Sequence, residues 1–73
     1  MRYSKRAKRR MVERHITFAE VDETLASPFA TLLGHSRRVH YYKSIQGFNL
    51  RVTIVTDVRG VKHVITVWKE RLP

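Results

Sequence analysis

Cysteine is absent from the 73 residues, which excludes a disulfide framework and any thiolate metal site and leaves apolar packing to stabilise the chain. That composition suits a reducing compartment, so a cytoplasmic location is expected. Glycine occurs three times and proline twice, too rarely for a linker or a low-complexity segment. No apolar run approaches the roughly 20 residues that a membrane-spanning helix needs. The first residues are charged where a leader would be apolar, so neither secretion nor a membrane partner is expected. Acidic side chains are scarce: 6 Asp and Glu stand against 15 Lys and Arg, a formal net charge of +9. Such a field attracts polyanions, although RNA, DNA, anionic lipid and acidic proteins all share the Coulomb term.

A chain this short supports one core, so residues 1–73 are expected to form a single domain. Residues 4–14 read as a helix, with Tyr3, Ala7 and Met11 recurring every fourth residue and cations on the remaining surface. Arg6, Arg10 and Arg14 form a second ridge about 100° round from that stripe, at the border of the core. A capping box opens a second helix over 17–26, with Thr17 as N-cap, Glu20 at N3, and Ile16 and Val21 placed as a hydrophobic staple. Phe18, Val21 and Leu25 supply its apolar stripe, and Ser27-Pro28 stops it. Residues 29–36 read as a loop. Three β-branched and aromatic runs follow, at 37–44, 48–56 and 61–69, joined by short glycine-containing turns that favour an antiparallel meander. In the middle run Phe48, Leu50, Val52 and Ile54 point inward. In the last, the Val61, His63, Ile65 and Val67 face is placed inward, with Thr66 and Trp68 outward. The expected architecture is α+β: two N-terminal helices on one face of a three-stranded antiparallel sheet.

The chemistry lies in cations and aromatics. Lys5, Arg6, Lys8 and Arg9 belong to a basic helix suited to phosphate, and Arg37, Arg38, Lys62 and Lys69 extend that charge. His40 lies beside Tyr41 and Tyr42 on the first strand. A histidine there can move a proton near neutral pH, and Arg51 can offset charge building on a phosphoryl group. A surface histidine stacked beside aromatics is the alternative. Tyr42 and Trp68 interleave with cations as base-stacking residues do, although sheet aromatics commonly serve as cross-strand pairs. His15, His35, His40 and His63 are scattered without carboxylates at ligand spacing, so no metal is expected.

Taken in order, Ala7, Arg10-Met11, Arg14-His15-Ile16-Thr17, Leu25-Ala26-Ser27-Pro28, Val39-His40-Tyr41-Tyr42 and Ile65-Thr66-Val67-Trp68 resemble the bacterial family called domain of unknown function 4258. The segment His15-Ile16-Thr17-Phe18 with Glu20 is also similar, more weakly, to BrnT-type toxins, which resemble the RelE group of small ribonucleases. Both resemblances imply a compact α+β toxin fold. Two positions depart from the first family's pattern: Arg6 stands where it usually has histidine, and His15 where it usually has glycine. Since a guanidinium does not deprotonate in a protein, Arg6 cannot replace a proton-transfer histidine.

Together these readings predict a toxin-like endoribonuclease that binds RNA and works without a cofactor. Its catalytic group would be His40, Arg51, Arg10, Arg14 and Thr66, and an acidic antitoxin protein would cover its cationic face. The alternative is a non-enzymatic RNA- or DNA-binding module using the same arginines and Tyr42 or Trp68.

Overall fold

Ser4 begins the first helix by accepting a hydrogen bond from the Ala7 amide at 3.0 Å, which satisfies one of the donors a helix start leaves free. The computed structural model describes residues 1–72, so the expected domain 1–73 runs one residue past them. Helix α1 spans Lys5–Arg14 and buries Ala7 and Met11. Its C-cap, His15, lies in the left-handed region at φ 55°, which lets the Ile16 amide return to the Met11 carbonyl at 2.8 Å. Helix α2 spans Phe18–Ala26 and carries the expected capping box: the Glu20 amide reaches Thr17 Oγ1 at 3.1 Å, and the Thr17 amide reaches Glu20 Oε1 at 2.9 Å.

The sheet has five strands where three were expected. In chain order they are β1 (Arg2–Tyr3), β2 (Ala30–Leu33), β3 (Arg38–Ile45), β4 (Phe48–Thr56) and β5 (Lys62–Arg71), and they lie in the order β1-β5-β4-β3-β2. The sheet is therefore mixed, because β1 runs parallel to β5 while the other neighbours are antiparallel. Strand β1 has no sequence signal of its own. It is held where the Ser4 amide donates to the Val64 carbonyl at 2.9 Å and the Ser4 hydroxyl donates to the Ile65 carbonyl at 3.0 Å. Strand β2 takes half of the segment expected to be a loop. The β2–β3 turn closes as the Arg38 amide donates to the His35 carbonyl, with Ser36 and Arg37 both at positive φ. Two positive φ values at the centre of a hairpin match the right-handed twist of the strands. Gln46 and Gly47 repeat that geometry between β3 and β4.

Both helices cover one face of the sheet, α1 on β5 and α2 on β3 and β4. Between them and the sheet lie Ala7, Met11, Ile16, Val21, Leu50, Val52, Ile54, Val64 and Val67. Burying these side chains supplies about 25 cal/mol per Å² of apolar surface, the main driving force for a domain this small. On β5 the expected inward face is corrected. The pairing shifts by one residue between Thr53 and Ile54, so that Thr53 opposes Thr66 while Ile54 opposes Val64. The bulged Ile65 lets Val64 and Val67 both point at the helices, although a regular strand would put them on opposite faces. His63 thereby turns away from the core. Phe18 is also corrected, since it is 57% exposed and meets Tyr3 edge to face at 4.9 Å, whereas Thr24 is buried and donates to the Glu20 carbonyl.

Candidate nucleic-acid interface

Among the described residues no helix packs on the second face of the sheet. Strand pairing sets its rows, because residues opposite one another in a ladder share a face. One row runs Leu32, His40, Thr53, Thr66, and the next runs Ala30, Tyr42, Arg51, Trp68. Beyond them lie Ser44, Asn49 and Glu70 on one side and Arg38, Val55 and His63 on the other. Alternation thus brings His40, Arg51, Thr66, Tyr42 and Arg38 of the expected site to one surface.

His40 is half-buried, and its Nδ1 lies 2.7 Å from the hydroxyl of Thr53, a residue 1% exposed. That contact orients the ring. Burial lowers the imidazole pKa below its ordinary value, and the nearby Arg51 and Arg38 guanidinium groups lower it further. The ring is accordingly held toward its neutral form. Its other nitrogen faces Gly34, where a Cβ would come within 2.6 Å of Nε2. Neither Thr53 nor Gly34 was singled out from the sequence. A threonine in the middle of a strand and a lone glycine carry no local mark of their long-range neighbours.

Arg10 and Arg14 reach the same region from α1. Strand β1 pairs with β5 only at His63 and Val64, so the edge beside Trp68 is left open to the helix. The Arg14 guanidinium sits over the indole at 4.0 Å from the ring centre and that of Arg10 at 5.2 Å. Such contacts contribute about 0.5–1 kcal/mol each at accessible sites. Arg51 adds a further feature: its Nε is buried and has no hydrogen-bond partner among the described residues.

The remaining expected contacts divide. Lys5, Arg6, Lys8 and Arg9 are exposed along α1, and Arg37 is exposed in the β2–β3 turn. Lys62 and Lys69 lie away from the open face: they oppose Thr56 and Leu50, on the helix-covered side. Lys69 donates to the His15 carbonyl at 3.2 Å and approaches Glu20 at 3.8 Å, so it ties the two helices to β5. His63, expected in the core, sits half-exposed with Nε2 at 2.8 Å from Asp57 Oδ2. Among the described residues no three His, Asp or Glu side chains converge as metal ligands, and no helix is long and apolar enough to cross a membrane.

The fold and this face define a small basic α+β domain with a histidine, arginines and aromatics gathered on an open sheet. The chain belongs to the family described as domain of unknown function (DUF4258), which it matches over residues 3–69. No curated protein and no solved structure matches it.

Proposed function

We propose that the open sheet face is an RNA site and that the chain is a toxin-like, metal-independent endoribonuclease. The observation that carries this reading is the His40 ring, held by Thr53 at 2.7 Å and kept toward its neutral form beside Arg51 and Arg38. With Nδ1–H donating to Thr53, Nε2 carries the lone pair and can accept the proton of a ribose 2′-hydroxyl. The 2′-oxygen then bonds to the adjacent phosphorus, and the bond to the 5′-oxygen breaks. A 2′,3′-cyclic phosphate is left, and the departing oxygen takes its proton from water. Because the nucleophile is part of the substrate, its positioning supplies much of the acceleration. Arg51, with Arg10 and Arg14 at the β5 edge, offsets charge on the phosphoryl oxygens, and Thr66 orients the phosphate from the next strand. The exposed cations of α1 hold the flanking backbone, which makes affinity fall steeply with salt. RelE-like toxins are the functional analogy, and an acidic antitoxin would cover this face when the protein is silent.

The second reading is a binding module that holds RNA or DNA without cutting it. It is favoured by the cation-covered Trp68, which supports stacking without any chemistry. Purified protein, His40→Ala and Arg51→Ala are incubated with labelled RNA, free and ribosome-bound, while fragments and bound fraction are measured together. Fragments that disappear in the variants while binding persists support the nuclease. Binding without fragments in either setting overturns it and leaves the module.

A further inference from the structure

The cavity beside Arg51 has a lining that, Arg51 apart, the cleavage chemistry does not use. It is formed by Tyr42, Asn49, Leu50, Arg51, Trp68 and Glu70 and has a volume of about 180 Å³, room for a flat ring system rather than a whole nucleotide. Glu70 is out of place there. A carboxylate on a cationic surface repels phosphate, and the chain has only 6 acidic residues to place. Among the described residues the ion pairs use Glu13, Asp57 and Glu20, and Glu70 has none. Across the ladder from it, Asn49 accepts a hydrogen bond from the Ser44 hydroxyl at 2.8 Å, which leaves its amide nitrogen as a donor. The buried Arg51 Nε is a second donor lacking an acceptor.

We infer that this cavity takes a guanine base. The inference rests on the RNA reading of the open face and deepens it to a substrate preference. Guanine alone presents two adjacent donors on its pairing edge, N1–H and the exocyclic N2–H, and a carboxylate offers two adjacent acceptors to match. Next to those donors it has the acceptors O6 and N7, which suit the donors on Asn49 and Arg51. Adenine and uracil present an acceptor where the second carboxylate oxygen would lie, and cytosine presents one donor beside acceptors. Tyr42 and Trp68 supply the flat apolar flanks that an unstacked base needs. His40 is two residues from Tyr42 on the same face, about 7 Å along β3, so the ribose and phosphate attached to the base lie toward the imidazole.

Trp68 is the single tryptophan and reports directly on the cavity. Its fluorescence is titrated with GMP, AMP, CMP and UMP at one ionic strength, in the natural protein and in Glu70→Gln. The carboxamide keeps the shape of an exposed side chain but replaces one acceptor with a donor. GMP is expected to bind at least about tenfold more tightly than the other three, and the variant to lose that preference. Equal affinities, a preference for another nucleotide, or a guanine preference that survives Glu70→Gln would each overturn the inference. Binding of an oligouridine, which has no guanine, is measured in parallel. It tests the RNA reading separately, so either idea can fail alone.

Discussion

Gly34 leaves open the space in front of His40: a Cβ there would stand 2.6 Å from the imidazole Nε2 and 3.1 Å from Cδ2. The backbone at Gly34 does not have the positive φ that would itself demand glycine. Alanine there acts through sterics alone. The ring can escape the new methyl group only by leaving Thr53, a hydrogen bond worth about 1 kcal/mol. Gly34→Ala is expected to reduce RNA cleavage by at least about tenfold, the consequence of displacing a proton-transfer group by a fraction of an ångström. RNA affinity should change little, since the cations remain. Cleavage rates measured beside a binding isotherm decide this, and unchanged cleavage would remove Nε2 from the mechanism.

Arg51 lies diagonally across from His40 on the adjacent strand and helps to lower its pKa. Arg51→Gln should therefore raise the imidazole titration midpoint, read from the ring proton shifts in NMR. It should not restore the ordinary value, because burial is the larger cause and Arg38 remains. The stability consequence has a definite sign. A histidine whose pKa is lower folded than unfolded binds more protons in the unfolded chain. Its contribution is complete above the ordinary value near 6.5 and declines as pH falls from there to the folded pKa. Thermal unfolding across that interval should show a shallower decline in Arg51→Gln than in the natural protein.

His15 occupies a left-handed C-cap at φ 55°, and the position is exposed. A residue with a Cβ is strained there by roughly 1 kcal/mol, and glycine is not. His15→Gly should therefore stabilise the protein. The Lys69 ammonium accepts no loss, since it binds the main-chain carbonyl rather than the ring. A gain approaching 1 kcal/mol would raise the melting temperature by about 4–8 °C in a domain of this size. A lower melting temperature would show that the His15 ring makes a contribution larger than the relieved strain.

Asp57 organises the turn before β5. Its Oδ1 accepts the amides of Arg59 and Val61 at 2.9 and 3.0 Å, and its Oδ2 meets His63 at 2.8 Å. The hydrogen bond with His63 leads the causes that hold its pKa below the usual carboxylate value, followed by the Val61 amide. The stability this group contributes is complete above the unfolded carboxylate pKa, about 4, and is lost as pH falls through the lower folded value. Asp57→Asn keeps an oxygen for the two amides but cannot ionise. Its unfolding temperature should fall less steeply with acid than that of the natural protein, measured from about pH 5 to pH 2.

The legible parts of this molecule were those with local causes. The capping box at Thr17 and Glu20, the alternation that turns Leu50, Val52 and Ile54 inward, and the glycine-marked turns each depend on residues within a few positions of one another. That same alternation was enough to place His40, Arg51 and Tyr42 on one face. The side of Lys62 and His63 was not legible, because the bulge at Ile65 reverses the phase of β5 midway. Phe18 misled for a related reason: its place on the stripe is correct for a helix, but Tyr3 rather than the core lies against it.

By itself, the sequence determined a small basic α+β domain with two helices, the second opened by a capping box, and a meander of three long strands, because propensity, capping and periodicity are properties of neighbouring residues. It also determined the family, through the order of short motifs along the chain. Only the tertiary structure decided that β1 and β2 complete a mixed sheet of five strands, since a two-residue strand and an exposed edge strand exist only where a neighbour offers a ladder. It alone decided which groups meet His40. Thr53 is 13 residues away along the chain, and Arg14 reaches Trp68 across 54 positions in the sequence, separations that only long-range pairing can close.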